Sequence, residues 1–327
     1  MQKLFQQFNN LTILIIGDVM MDSYLWGSVE RISPEAPVPI ISVRKKENRL
    51  GGAANVALNI QALGAKPVIC AVVGTDKEGD EFIDILKENH LSTSGIIQLD
   101  SRPTTVKTRV IGHHQQMIRI DAEVDEEISQ QDSERLLSAI TEILDSQKID
   151  AIVFEDYDKG VISEFLIDQV VGLANKKNII TVVDPKKRNF LKYKGVTLFK
   201  PNLKELREGL KIDVDPSNNE ELELSVQSLQ NQLGAKMIMV TLSEYGVYMH
   251  SRKGKNIIPA HIRNIADVSG AGDTVIATTA VCLAAGCDEF TTAAIANLAG
   301  GLVCESVGVV PINKDELLKE VQTLQSL

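Results

Sequence analysis

The segment Asp267-Val-Ser-Gly-Ala-Gly-Asp-Thr274 runs directly into an apolar, alanine-rich stretch, Val275–Ala285. Glycines placed just ahead of such a stretch predict a tight turn that opens a helix. Gly270 and Gly272 carry no side chain to keep a ligand off the backbone. The first N–H groups of a helix have no internal acceptor. Oriented donors and a partial positive charge at that point suit a phosphate. Asp273 then puts a carboxylate where negative charge is expected to arrive. Two readings fit. Asp273 is a base that takes a hydroxyl proton while the N–H groups steady a transferring phosphoryl group, or it caps the helix and the glycines serve the turn. Glycine spacing alone does not separate them.

Outward from this turn, short β-branched runs alternate with helical patterns along the chain. The strand candidates are Leu11–Ile16, Pro67–Val73, Ala151–Phe154, Ile179–Val183, Val196–Phe199 and Met237–Thr241. Helical patterns fall at Ala53–Leu63, Lys77–Asn89, Asp132–Ser146, Ser163–Asn175, Leu203–Leu210 and Glu220–Leu233. Continuous apolar strands between amphipathic helices predict an α/β fold with a mostly parallel sheet covered on both faces. Ligands of such sheets bind beyond the carboxyl ends of the strands. Two stretches depart from the pattern. Val19–Arg44 contains Trp26, Pro34, Pro37 and Pro39 and ends in the alternating run Pro39–Val43. Thr104–Asp121 alternates too, with Val106, Thr108 and Val110 on one side and Lys107, Arg109 and Ile111 on the other. Both predict antiparallel strands added to the main sheet, forming a small β lid over its C-terminal edge. Asp213–Asn219 reads as a turn-rich surface loop. The expectation is one domain over 1–327, with lid strands within 19–44 and 104–121.

The 327 residues are 44% apolar and 24% charged, a composition that folds. Forty-four acidic residues against 34 basic ones give a net charge of -10, the opposite of a general nucleic-acid binder. A few local cations would still admit an anionic small substrate. Cys70, Cys282, Cys287 and Cys304 lie in apolar surroundings with neither C-x-x-C nor zinc spacing, and read as buried thiols. The N-terminal apolar stretch is short and lacks a cleavage pattern, and no segment approaches the ~20 apolar residues of a bilayer span. A cytoplasmic protein without nucleic-acid or membrane partners is expected.

Gly51-Gly52-Ala53-Ala54-Asn55 opens a helical pattern. Its small residues admit a ligand and Asn55 offers hydrogen bonds to sugar hydroxyls, although a tight loop with close helix packing has the same composition. Asp18 and Asp22, in Gly17-Asp-Val-Met-Met-Asp22 after the first strand, are acceptors suited to hydroxyls or to turns. Asn202-Leu-Lys-Glu205 follows Phe199-Lys-Pro201; its two polar residues share a helical face and suit hydrated Mg2+ near phosphates, or a capping box. Lys107, Arg109 and Arg119 in the lid, with Gln115 and Gln116, and Lys159 in Asp156-Tyr-Asp-Lys-Gly160 offer cations for a sugar phosphate, or simply solvated strand faces. The tandem His113-His114 is no chelating pair, since adjacent strand residues point in opposite directions.

Taken together, these residues resemble the PfkB, or ribokinase-like, carbohydrate kinases over almost the whole chain. Gly51–Asn55 resembles the N-terminal glycine signature, Asn202–Glu205 the N-x-x-E motif and Asp267–Asp273 the C-terminal D-T-x-G-A-G-D signature. Arg31-Ile-Ser-Pro-Glu-Ala-Pro-Val-Pro39, Gln115-Gln-Met-Ile-Arg-Ile-Asp121 and Asp156–Gly160 are similar to the D-glycero-D-manno-heptose-7-phosphate kinases. Those enzymes stand alone or form the N-terminal half of a bifunctional kinase/adenylyltransferase of lipopolysaccharide-core synthesis.

The resemblance implies a ribokinase-like fold and transfer of the ATP γ-phosphoryl group to an anomeric hydroxyl, giving a heptose 1,7-bisphosphate on the way to ADP-heptose. It makes Asp273 the catalytic base and Gly270, Ala271 and Gly272 the anion hole. Asn202 and Glu205 would organise Mg2+ through water, and Thr241, Ser243, Gly246 and Asn297 would line the nucleotide site. Asp18, Asp22, Gly52 and Asn55 match sugar-contacting positions, and Lys107, Arg109, Arg119 and Lys159 are the candidates for the 7-phosphate. A monovalent cation is left open as an addition to ATP and Mg2+. Val268 and Ser269 replace the usual signature residues after Asp267, Lys200 stands where an uncharged residue is more usual, and Glu155 where small residues are common. No H-x-G-H motif occurs, so no adenylyltransferase domain is expected within these residues. The alternatives are a kinase for fructose 1-phosphate or ribose, and a catalytically silent nucleotide-binding regulator. A dinucleotide-binding dehydrogenase is disfavoured, because no G-x-G-x-x-G follows the first strand. Apolar lid residues Val38, Ile40, Val106 and Val110 suggest a homodimer through the lid.

Overall fold

The computed structural model describes residues 1–112, 115–261 and 263–325, so His113-His114 lies outside the described residues. In chain order the strands are β1 (Thr12–Gly17), β2 (Val19–Ile32), β3 (Pro39–Gly52), β4 (Lys66–Gly74), β5 (Gly95–Leu99), β6 (Val106–Gly112), β7 (Gln115–Ala122), β8 (Ala151–Glu155), β9 (Ile180–Asp184), β10 (Leu198–Phe199), β11 (Met237–Thr241), β12 (Val247–Ser251) and β13 (Gly254–Ile258). The helices are α1 (Gln2–Gln7), α2 (Ala53–Ala62), α3 (Lys77–Glu88), α4 (Gln130–Ser146), α5 (Glu164–Lys177), α6 (Leu203–Leu210), α7 (Asn219–Leu233), α8 (Ala271–Ala284), α9 (Glu289–Val303) and α10 (Lys314–Gln325).

Nine strands form one sheet in the order β13-β12-β11-β10-β9-β8-β1-β4-β5. Every pairing from β11 through β5 is parallel, and the β11–β12 and β12–β13 pairings are antiparallel. The parallel strands are apolar on both faces because both are covered. Ile13 and Ile15 of β1 pack in a core shared with α2, α8 and α9, while Leu14 and Ile16 pack on the other side with α4, α5 and α7. Burying each such side chain contributes about 1.5–3 kcal/mol. Helix α8 is buried along almost its whole length, which is why its sequence shows no polar face.

Strands β2, β3, β6 and β7 do not extend this sheet; they form a second sheet in the order β3-β2-β6-β7. Nor is it wholly antiparallel, because β2 and β6 run parallel. The expected lid is therefore an independent layer whose strands leave the body at Val19 and return at Gly52. Strand β3 also continues well past Val43. Arg44-Lys-Lys-Glu-Asn-Arg49 has no apolar face to reveal a two-residue period, yet pairing with β2 keeps it extended. Strand β10 is shorter than expected: only Leu198 and Phe199 enter the ladder, while the Thr197 hydroxyl and amide bond Thr181 from beside it.

Candidate active site

Gly270 caps α8 in the left-handed region, at φ 80°, a conformation that glycine adopts without strain. The turn is fixed by Asp267, whose carboxylate accepts the N–H groups of Ser269 and Gly308, each at 3.0 Å. Ala271, Gly272 and Asp273 form the first turn of the helix; of the expected anion hole, the Ala271 N–H is already used, donating to the Val268 carbonyl at 3.3 Å. Asp273 lies in that turn and is 6% exposed. Its Oδ2 accepts the Asn55 side-chain amide at 2.5 Å and its Oδ1 the Tyr157 hydroxyl at 2.7 Å. Burial pushes its carboxyl up to about 6; the Asn55 and Tyr157 hydrogen bonds pull it back, Asp184 raises it and Lys200 lowers it. A carboxylate held near neutrality beside a helix N-terminus is equipped to take a hydroxyl proton.

A cleft of about 200 Å³ opens over this turn. Asp273, Gly270, Ser269 and Val309 line its floor, Met20, Asp22 and Gly52 one wall, Tyr157 another, and Lys107, Arg109 and Arg119 reach in from the lid. Gly52, at φ 59°, turns the chain from β3 into α2; a Cβ there would lie 2.4 Å from the Asp18 carbonyl oxygen. The β2–β6–β7 register explains the cation cluster. Lys107 stands opposite Asp22 and Asp121, and Arg109 opposite Tyr24 and Arg119. Each cation also has an internal partner. Arg109 pairs with Asp22, Arg119 binds Asp121 through two 2.9 Å hydrogen bonds, and Lys107 lies 3.3 Å from Glu123.

Lys159 is not in the cleft lining, and its ammonium pairs with Glu123 at 2.8 Å. Asp18 sits beneath the cleft, 1% exposed. Its carboxylate accepts the backbone N–H groups of Tyr157 at 2.8 Å, Lys159 at 3.1 Å and Val161 at 3.2 Å. It is a clamp on the loop after β8. Asn55 likewise reaches the cleft through Asp273.

Glu155 and Asp184 are register partners at the ends of β8 and β9. Lys200 is buried with its ammonium 2.7 Å from Asp184, so the unusual lysine neutralises an acid beneath the site. Neither Glu155 oxygen has a hydrogen-bond partner among the described residues. Burial, then Asp184 and Asp273, push its carboxyl well above the usual range.

Asn202 and Glu205 form a full capping box on α6. Glu205 Oε2 accepts the Asn202 N–H at 2.8 Å and Oε1 accepts Lys186 Nζ at 2.5 Å. Burial works against the Lys186 charge, but Asp184 and Glu205 outweigh it and raise its pKa. Thr241, the last residue of β11, forms a parallel bridge with Asn202. Ser243 and Gly246 make the tight turn into β12, and Asn297 on α9 donates to the Pro259 carbonyl at 2.9 Å. Four cleft residues, Met20, Tyr157, Ser269 and Val309, were not picked out as candidates. Arg49 was also missed; it lies over the Tyr24 ring at 4.9 Å and donates to the Val309 carbonyl at 3.3 Å, tying lid to body. The signal for Tyr157 is its place in Asp156–Gly160, two residues before Lys159.

The α8 start, the buried carboxylate in its first turn and the lid cations share one cleft. Residues 10–315 match the pfkB family carbohydrate kinases, and the chain belongs to that family, which makes it a phosphotransferase that acts on an alcohol group. It is 41% identical over 314 residues to the bifunctional protein HldE of Methylobacillus flagellatus, an alignment covering 96% of this chain and 64% of that protein. It is 39% identical over 305 residues to the bifunctional protein HldE of Helicobacter pylori, covering 93% and 65%. The chain therefore spans less than two thirds of the length of these relatives. Phosphofructokinase-2 from Escherichia coli in complex with potassium superposes with a TM-score of 0.79 at 17% identity, covering 96% of this chain and 99% of that one. Arabidopsis thaliana ribokinase complexed with ribose and ATP gives 0.73 at 17%, covering 95% and 99%. The fold is thus ribokinase-like. No helix among the described residues is long and apolar enough to cross a membrane.

Proposed function

We propose that the chain transfers the γ-phosphoryl group of ATP to the anomeric hydroxyl of D-glycero-D-manno-heptose 7-phosphate, giving the 1,7-bisphosphate used for ADP-heptose and lipopolysaccharide-core synthesis. The observation that carries this is one cleft joining Asp273 at the α8 start to Lys107, Arg109 and Arg119 on the lid. A sugar with phosphate at one end and the reacting hydroxyl at the other needs a base and cations in one cleft. Asp22 faces the same cleft as a sugar-hydroxyl acceptor. The family match and the identity to bifunctional HldE proteins support the sugar-kinase part of this reading.

In this mechanism Asp273 receives the proton of the anomeric hydroxyl as its oxygen attacks the γ-phosphorus. The N–H groups of the α8 start stabilise the charge on the transferring group, and ADP leaves. Mg2+ bound with ATP would supply charge neutralisation at the phosphates. Both Glu205 oxygens are already engaged, so Asn202 and Glu205 fit the ion through water and not as direct ligands. In this reading Thr241, Ser243, Gly246 and Asn297 line the nucleotide.

Coupled ADP release with a sugar panel tests the substrate: heptose 7-phosphate is expected to give the highest kcat/KM, and a preference for ribose or fructose 1-phosphate would reject it. Arg109→Ala is expected to raise the sugar-phosphate KM about tenfold or more with a smaller effect on the ATP KM. Equal effects on both would remove Arg109 from the phosphate site.

A homodimer through the lid is part of the proposal, with altered contacts. Val110 is buried and Val106 packs against the core, so neither supplies the free face. Ile118 and Ile120 on edge strand β7 are 54% and 53% exposed, and Val43 on β3 is 53% exposed. Light scattering should show a dimer that Ile118→Lys with Ile120→Lys converts to monomer; a monomeric parent protein would reject the contact.

A further inference from the structure

Tyr157 enters the cleft on the loop after β8, fixed from two directions. Its backbone N–H donates to the buried Asp18 carboxylate at 2.8 Å, and Lys186 Nζ lies 5.3 Å from its ring centroid. Lys186 is in turn held by Glu205 and lies 3.8 Å from Asp184. The phenol so placed donates to Asp273 Oδ1 at 2.7 Å, while Asn55 takes Oδ2. We propose that Tyr157 is a positioning residue for the base: its hydroxyl fixes the Asp273 carboxylate toward the acceptor and favours the ionised form that takes the proton. This rests on Asp273 acting as the base. In the step served, the sugar oxygen–phosphorus bond forms, the bond from γ-phosphorus to the β,γ-bridging oxygen breaks, and the hydroxyl proton passes to Asp273. ADP carries away the bond's electron pair.

The setting explains why a donor matters here. Asp184 from β9 and Glu155 from β8 face Asp273 from the sheet, opposed by Lys200 after β10. From the lid side come Asp22, Arg109, Lys107 and Arg119. Helix α2 presents the neutral Asn55 and Asn59, and the acid on α9, Glu289, pairs with Lys253. A buried carboxylate with acids beneath it is kept ionised by the hydrogen bonds it accepts.

The test is Tyr157→Phe, read by carbon-13 NMR titration of the Asp273 carboxyl in the free protein and by kcat/KM against pH with ATP and heptose 7-phosphate. In the parent protein Asp273 should titrate near 6. In Tyr157→Phe it should titrate about one unit higher, lowering kcat/KM about fivefold at pH 6 and less than twofold at pH 8.5. A melting temperature within a few degrees of the parent separates this from misfolding. An unchanged Asp273 titration, or a loss equal at both pH values, overturns the role of Tyr157. Asp273→Asn is the control: if it keeps turnover the base reading itself fails, and if it is inactive while Tyr157→Phe titrates like the parent, only the present inference fails.

Discussion

Asp273→Asn is expected to lower kcat by about a hundred- to ten-thousand-fold while leaving ATP affinity within about twofold. The substitution keeps the side-chain shape, and an amide flip lets Asn55 present its oxygen to the new amide. Tyr157 still donates to the remaining carbonyl. What disappears is the only function that an amide cannot imitate, accepting a proton from the sugar hydroxyl. The N–H groups of the α8 start are backbone and persist, so the proposed phosphate contacts are expected to survive the substitution. Turnover of the parent protein should also fall as pH drops through about 6, where Asp273 becomes protonated. Isothermal titration with ATP beside steady-state kinetics checks both halves, and undiminished kcat would remove Asp273 from the chemistry.

Asp18→Ala is expected to act on stability first. Three backbone N–H groups, of Tyr157, Lys159 and Val161, lose their acceptor in a site that is 1% exposed. Each unsatisfied buried donor costs about 1–3 kcal/mol, so a loss of about 3–5 kcal/mol is expected after relaxation. That corresponds to a fall in melting temperature on the order of 10 °C. Because the clamped loop carries Tyr157, kcat should fall as well, whereas the sugar KM should change less than in Asp22→Ala. Calorimetry and kinetics on the two variants separate a clamp from a substrate contact. A stable Asp18→Ala with a large rise in sugar KM would restore the sugar-contact reading.

Asp18 also marks where sequence reasoning stops. A carboxylate after a strand accepts hydrogen bonds from sugar hydroxyls or from backbone amides with the same chemistry, and only the position of the β8–α5 loop decides between them. Asn55 is similar, polar and close to the cleft, but its amide is aimed at Asp273. The parallel frame was legible because strands covered on both faces are continuously apolar, as in Ile13–Ile16 and Ala151–Phe154. The start of α8 was legible because Gly270 must adopt a positive φ there. Strand β3 beyond Val43 was not, because its charged residues leave no period. Cation types on β6 and β7 could be read, but their partners, such as Asp121 and Glu123, follow from register. Tyr157 was hidden by being apolar in body and polar only at its tip, a residue that core packing would explain equally well.

Phosphorus-31 NMR of the reaction of ATP with D-glycero-D-manno-heptose 7-phosphate tests the central claim most directly. The account predicts loss of the ATP γ resonance, appearance of ADP, and one new sugar-phosphate resonance coupled to the anomeric proton, with the original 7-phosphate retained. Persistence of ATP beside the heptose phosphate, with turnover on a sugar that carries no phosphate, would contradict it.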